Sequence, residues 1–334
     1  MGIPSASLTQ LIIQKESALA GGRTDSKVPI RATSESIVAA VSTISSEEID
    51  ATRNVSDLNK VSSQAEGDIE FEFSADGPFD AFICAVLGTG SSKAPDVDLM
   101  ADNTSFINGT TQTSFAIEKK TTDGTSDFYQ LYQGMVPASL ELTGESGSFV
   151  TGTVSFVGSK VNAMTGSQTL TSPAAATTTQ PFSTVDSNTV IKFNDDAASV
   201  TNGGYDDLTG VVPTAFSLNF DNGLRAQTQI GTTDLAGIGS GRFVATGSLT
   251  VYANHADSQT LFNNYINTTK FGICFQIGNS TDNYRFYLPE VIITSAQVLA
   301  GGNDEDVLME LEFQAVKTTV GSDTFTVQLV KNES

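Results

Sequence analysis

The sequence predicts a mainly β protein made of two tandem β-sandwich or barrel modules, each with a short flanking α-helix, joined by a Thr/Ser-rich segment. Three observations carry that prediction. Apolar and polar residues alternate with a period of two along several runs, which puts one strand face in a core and the other in water. The same series of elements occurs twice in the same order. Only 16% of the 334 residues are charged, and 29 are Gly, so the surface falls to Ser, Thr, Asn and Gly, as in strand-rich, turn-rich proteins. The length suits two domains of middling size, each able to bury a core.

The elements follow in order. In Gln64–Phe73 the even positions Gln64, Glu66, Asp68, Glu70 and Glu72 are polar and the odd positions small or apolar. Pro78–Leu87 reads as a helix, with Pro78 suited to a first turn. Ser114–Glu118 and Asp127–Val136 are β-rich, and Val150, Gly152, Val154 and Phe156 alternate with Thr151, Thr153 and Ser155. The second series has β-rich runs at Phe216–Phe220 and Phe243–Tyr252, then a helix at Asp257–Ile266, for which Asp257 is the expected cap. Phe271–Ile277 and Tyr284–Thr294 follow, and Val307, Met309, Leu311 and Phe313 alternate with a polar side of Glu310, Glu312 and Gln314.

Laid side by side, Gly67–Phe71 answers to Gly247–Val251, and Phe82, Ile83, Val86 and Leu87 answer to Leu261, Phe262, Tyr265 and Ile266. Phe115-Ala116-Ile117 answers to Phe271-Gly272-Ile273, Phe128–Val136 to Tyr284–Ile292, and Val150–Phe156 to Val307–Phe313. The shared order of strand, helix, strand, turn, strand, turn and strand weighs against chance resemblance. The expected boundaries are an N-terminal arm at 1–30, a first module at 31–160, a connection at 161–210 and a second module with a C-terminal extension at 211–334. The connection is either turn-rich with one strand at Val190-Ile191-Lys192-Phe193 or a flexible linker; composition does not separate the two.

Charge and motifs exclude several functions. With 17 Lys+Arg against 38 Asp+Glu, the net charge of −21 repels phosphate at long range and argues against a nucleic-acid gripping protein. No run approaches the roughly 18 apolar residues of a membrane span. The N-terminus lacks a basic region before its apolar run and does not read as a secretory signal, and it only half matches a myristoylation start. Cys84 and Cys274 lack metal-ligand spacing and read as small buried hydrophobes in a protein made in a reducing cytoplasm.

The lone histidine, His255, reads as an exposed loop residue. Gly237-Ile238-Gly239-Ser240-Gly241 precedes a strand instead of a helix, so it reads as a flexible turn and not a phosphate cradle. Asn194-Asp195-Asp196 and Asn303-Asp304-Glu305-Asp306 lack the spacing of a calcium loop. No cofactor, metal or catalytic group is expected. What stands out is the carboxylate stripe Glu66, Asp68, Glu70 and Glu72, which by itself is a solvated strand face.

Together these residues resemble the major tail tube proteins of long, non-contractile-tailed (siphovirus-like) bacteriophages. The resemblance is carried by Ser46–Asp57, Gly67–Glu72, Phe115–Lys119 with Tyr132-Gln133-Gly134, and Val150–Phe156. In the second series it is carried by Leu218–Gln227, Ile238–Phe243 and Gly301–Ala315. It covers roughly 45–160 and 212–317, and it implies a structural virion protein, not an enzyme. Modules would join side by side so that their inner sheets close around a channel, and rings would stack into a hollow conduit for genome ejection.

Six modules per ring and two per chain would give a trimeric ring of pseudo-sixfold symmetry. A hexamer of chains is the alternative if one copy decorates the outside. The lumen-facing acidic candidates are Glu66, Asp68, Glu70 and Glu72, with Glu310 and Glu312 from the second series. Expected partners are the chain itself, a tape-measure protein, tail-terminator and tail-tip proteins, and DNA passing without specific binding; no membrane is expected. An acidic β-rich capsid decoration or receptor-binding protein is the alternative. A carboxylate-pair hydrolase lacks any other catalytic sign.

Overall fold

A computed structural model describes residues 6–23, 26–49, 51–52, 54–88, 104–194, 208, 211–253, 256–300, 302–303, 305–320 and 323–332. His255 and parts of the 194–196 and 303–306 acidic runs lie outside the described residues. After a 3-10 turn at Ala6–Leu8, the chain forms β1 (Gln10–Lys15), β2 (Val28–Ile30), β3 (Ser34–Glu35), β4 (Val38–Ser45) and β5 (Leu58–Glu72). Then come α1 (Gly77–Leu87), β6 (Thr104–Ile107), β7 (Phe115–Thr122), β8 (Asp127–Glu145), β9 (Thr151–Gly158), β10 (Lys160–Val161) and β11 (Val190–Asn194). Next are β12 (Pro213–Asp221), β13 (Arg225–Gln227), β14 (Gly237–Gly239), β15 (Val244–Tyr252) and α2 (Asp257–Asn267). The chain ends with β16 (Phe271–Gly278), β17 (Asn283–Ala300), β18 (Val307–Ala315), β19 (Thr318–Val320), β20 (Asp323–Phe325) and β21 (Gln328–Asn332).

Eight antiparallel strands run in the hydrogen-bonded order β4, β5, β9, β8, β12, β15, β18, β17. The long strands β8 and β17 each leave this sheet at a bulge and enter a second layer. The first half of β8 joins β7, β1 and β2, with β10 on its other edge. The first half of β17 joins β16 and β11 on one side and β21 and β6 on the other. The core lies between the layers and includes Phe71, Phe79, Phe156, Phe216, Phe275 and Phe313.

The pairing registers of the two halves correspond. Gly67 opposes Phe156, Ile69 opposes Val154 and Phe71 opposes Gly152 between β5 and β9. Between β15 and β18, Gly247 opposes Phe313, Leu249 opposes Leu311 and Val251 opposes Met309. Phe115 opposes Met135 and, past a bulge, Ile117 opposes Tyr132; Phe271 opposes Val291 and, past a bulge, Ile273 opposes Leu288. The sheet-switching bulges fall at Pro137/Ser139 and Ile293/Ser295, each beside the closing-strand Phe156 or Phe313. β1 on β7 and β11 on β16 match in the same way, with Gln14 opposite Ala116 and Asn194 opposite Gly272.

The helices differ in environment. α1 has Pro in its first turn, ends on Gly88 in the left-handed region (φ 57°), and buries every residue from Pro78 to Leu87. α2 buries only Leu261 and Asn264. Asp257 does not cap α2: the cap position is Ala256, with no side-chain cap hydrogen bond, and Asp257 begins the helix, where its charge suits the positive end of the dipole.

Gly237–Gly239 is not a flexible turn but the strand β14, paired with β13, with Ile238 buried against Val136 and Leu235. The described part of the Thr/Ser-rich connection, residues 161–194, is packed and carries the expected strand at Val190–Asn194. Phe182 is fully buried beside Phe73 and Tyr284, and the N–H groups of Thr169 and Leu170 donate to the Glu118 carboxylate at 2.6 and 2.9 Å.

Candidate functional site: an acidic sheet face

The eight-stranded sheet has one face on the core and one facing away from it. Along β5, Ala65, Ile69 and Phe71 are buried while Glu66 and Glu70 are exposed and Asp68 and Glu72 half-buried. Along β18, Met309, Leu311 and Phe313 are buried while Glu310 and Glu312 are exposed. All six candidate carboxylates therefore sit on the outward face of one sheet.

Registers assemble that face into rows. Glu70 opposes Thr153, which opposes Glu141, which opposes Asn219, then Thr246 and Gln314. A neighbouring row runs from Glu72 through Thr151, Thr143, Ser217 and Ser248 to Glu312. On its other side Asp68, Ser155, Ser139 and Asp221 stand in line. A fourth row takes Glu145, Ala215, Thr250 and Glu310. None of these residues is Lys or Arg. Among the described residues, no Lys or Arg forms an ion pair with these carboxylates.

The six candidates do not form one cluster. Five strand spacings separate β5 from β18, about 24 Å. Glu141, Glu145 and the exposed Asp221 fill the ground between them, and the sequence reading missed all three. The signal was present: Ser139-Leu140-Glu141-Leu142-Thr143 alternates as cleanly as the first stripe. The expected strand stops at Val136, whereas β8 continues through Pro137, which occupies the bulge at which the strand changes sheets.

The face is hydroxyl-rich and locally self-satisfied. Ser34 Oγ donates to Glu70 Oε2 at 2.7 Å, Ser217 Oγ donates to Glu141 Oε1 at 3.1 Å, and Thr143 and Thr151 hydroxyls lie 2.9 Å apart across the sheet. Such a surface carries fixed negative charge and hydrogen-bonding groups on a rigid support. It can repel a polyanion at short range without offering it a cation to hold.

The buried chemistry lies elsewhere. Asp80 of α1 accepts hydrogen bonds from Tyr284 Oη and Lys331 Nζ, both at 2.5 Å, in a fully buried triad joining the first helix to the last strand. Cys84 and Cys274 are buried and unbridged, and burial pushes the Cys84 thiol well up from its ordinary value.

A comparison with curated proteins finds no match. A comparison with protein families matches residues 6–315 to the family described as phage tail tube protein, including the N-terminal region and the connection that the motif resemblance left uncovered. With nearly the whole length matched and the fold mainly β, the chain belongs to the phage tail tube protein family.

Proposed function

We propose that three copies of this chain close into a ring whose acidic sheet face lines the channel of a long, non-contractile phage tail, and that stacked rings conduct the genome at ejection. Family membership makes the chain a structural component of the virion, not an enzyme. The single observation that carries the proposal is the continuous eight-stranded sheet with an outward face of carboxylates and hydroxyls and no cation in its rows.

Strand count favours three chains. At a spacing of about 4.8 Å, twenty-four strands give a circumference of about 115 Å and a backbone diameter of about 37 Å, wider with strand tilt. Side chains reduce that to about 25 Å, which admits duplex DNA of about 20 Å. One chain's eight strands would close to about 12 Å, and six chains to about 73 Å, far wider than the cargo needs.

Matched registers and matched bulges support the reading of the chain as one module used twice, from β1 to β9 and from β11 to β18. Synthesis in the host cytoplasm, a tape-measure protein in the channel, and terminator and tip proteins at the ends belong to the same reading.

The test is charge inversion on the sheet face. Tubes of the unaltered chain should not retain duplex DNA at low salt. Tubes carrying Glu70→Lys, Glu141→Lys and Glu312→Lys should retain it with a steep salt dependence, because each added cation releases counterions on contact with phosphate. If the inverted tubes assemble and stay indifferent to DNA, the face does not line the channel.

A further inference from the structure

The eight-stranded sheet ends in two unpaired edges. At one end β3 and β4 pair only with β5 among the described residues. At the other, the second half of β17 pairs, among the described residues, only with β18. On the β3–β4 edge Ile37 is held locally, its N–H donating to Glu35 Oε2 at 3.1 Å and its carbonyl accepting from Tyr132 Oη at 3.2 Å, bonds that pairing with a new strand would exchange. Ser34–Ala40 and Ile292–Ala300 contain no Lys or Pro, the residues that commonly blunt open edges against association.

The same chain already contains the junction these edges would make. In its middle, the second half of β8 pairs with β12, with Glu141 opposite Asn219 and Leu142 opposite Leu218. The registers equate the second half of β8 with that of β17, because both continue from the bulge beside Phe156 or Phe313. They also equate β12 with β3 and β4. Ala215 and Asn219 lie opposite Thr250 and Thr246, as Ser34 and Val38 lie opposite Glu70 and Glu66.

Burial marks what is missing. Leu142, covered by β12, is fully buried, whereas its counterpart Val298, also on the core-facing side, is 52% exposed.

Resting on the two-module reading above, we infer that the seam between chains copies the seam within the chain, with β17 of one copy pairing antiparallel to β3–β4 of a second copy so that Gln297 opposes Val38 and Val298 opposes Ile37. The occupant is a second copy of this chain because the template is this chain's own β8–β12 pair. Its register carries over without a slip: core-facing Val298 meets core-facing Ile37, as Leu142 meets Leu218. A one-residue slip would turn every side chain on the edge to the wrong face.

The test is disulfide formation in assembled tubes. Cys84 and Cys274 are buried and leave the background low. Val38→Cys/Gln297→Cys, assembled under reducing conditions and then oxidised, should link chain to chain in a ladder that ends at three. Its yield should be about tenfold above that of Val38→Cys/Leu299→Cys, whose residues share the face but are displaced along the strand beyond disulfide reach. Glu141→Cys/Asn219→Cys should close within one chain and calibrates the chemistry. Tubes in which the in-register pair stays unlinked, or links no better than the displaced pair, overturn the seam. A ladder that ends at six with in-register linkage keeps the seam and overturns the three-chain ring. For the unaltered chain, amides of residues 296–300 should gain protection from hydrogen exchange on assembly; unchanged exchange there also overturns the seam.

Discussion

At the residue scale, a buried ion pair ties the first helix to the last strand. Lys331 and Asp80 are both almost fully buried, and their attraction offsets desolvation only while both are present. Asp80→Ala should therefore cost about 3–5 kcal/mol, because it strands a buried ammonium and removes the acceptor for Tyr284. Asp80→Leu combined with Lys331→Met should recover most of that loss in denaturant unfolding. An additive double variant would contradict the pair's role.

Asp76, at the N-cap of α1, makes no capping hydrogen bond, and burial raises its carboxyl above the ordinary value of 3.8, with Arg31 and Lys331 opposing the shift. A raised folded-state pKa means that the folded chain keeps a proton the unfolded chain releases. Stability is then lost as pH rises from about 3.8 through the raised value. Asp76→Asn removes that loss, so its Tm advantage should grow across this window and hold at neutral pH. Parallel Tm–pH curves for the two proteins would contradict it.

At the element scale, glycines give room for the side chains and backbone of neighbouring strands within the eight-stranded sheet. A Cβ at Gly247 would collide with the Phe313 ring and the Ser217 carbonyl oxygen. Gly67 sits at φ +143°, with the Ser36 carbonyl oxygen 2.5 Å from where a Cβ would stand. Gly247→Ala should cost about 1–3 kcal/mol in unfolding, while Gly302→Ala, which faces open space, should cost nothing measurable.

Elements differed in how legible they were. Strands with one buried face, such as β5, β9 and β18, announce themselves by alternation. β4 is largely exposed on both faces, and Val38-Ala39-Ala40-Val41 carries no period to read. β8 was legible only to Val136, because a proline at a sheet-switching bulge looks like a strand end. The complete burial of α1 depends on the layers packed around it, which its own sequence does not encode.

At the scale of the whole molecule, the β class and two of the acidic stripes are legible in the sequence, and the repeated series of elements supports the two-module proposal. The middle of the acidic face and the continuity of the sheet across the two halves depend on β8 pairing with β12, a contact about 75 residues apart that no local pattern specifies. That pairing changes what the net charge means. In the proposed three-chain ring, −21 per chain would sum to −63, a share of it on a sheet face whose described rows hold carboxylates and hydroxyls and no Lys or Arg. Electron cryo-microscopy of assembled tubes decides between this ring and one of six chains. The proposed ring should show three chains, a closed barrel of twenty-four strands, and Glu70, Glu141 and Glu312 projecting into the channel. Six chains per ring, or those carboxylates on the outer wall, would contradict it.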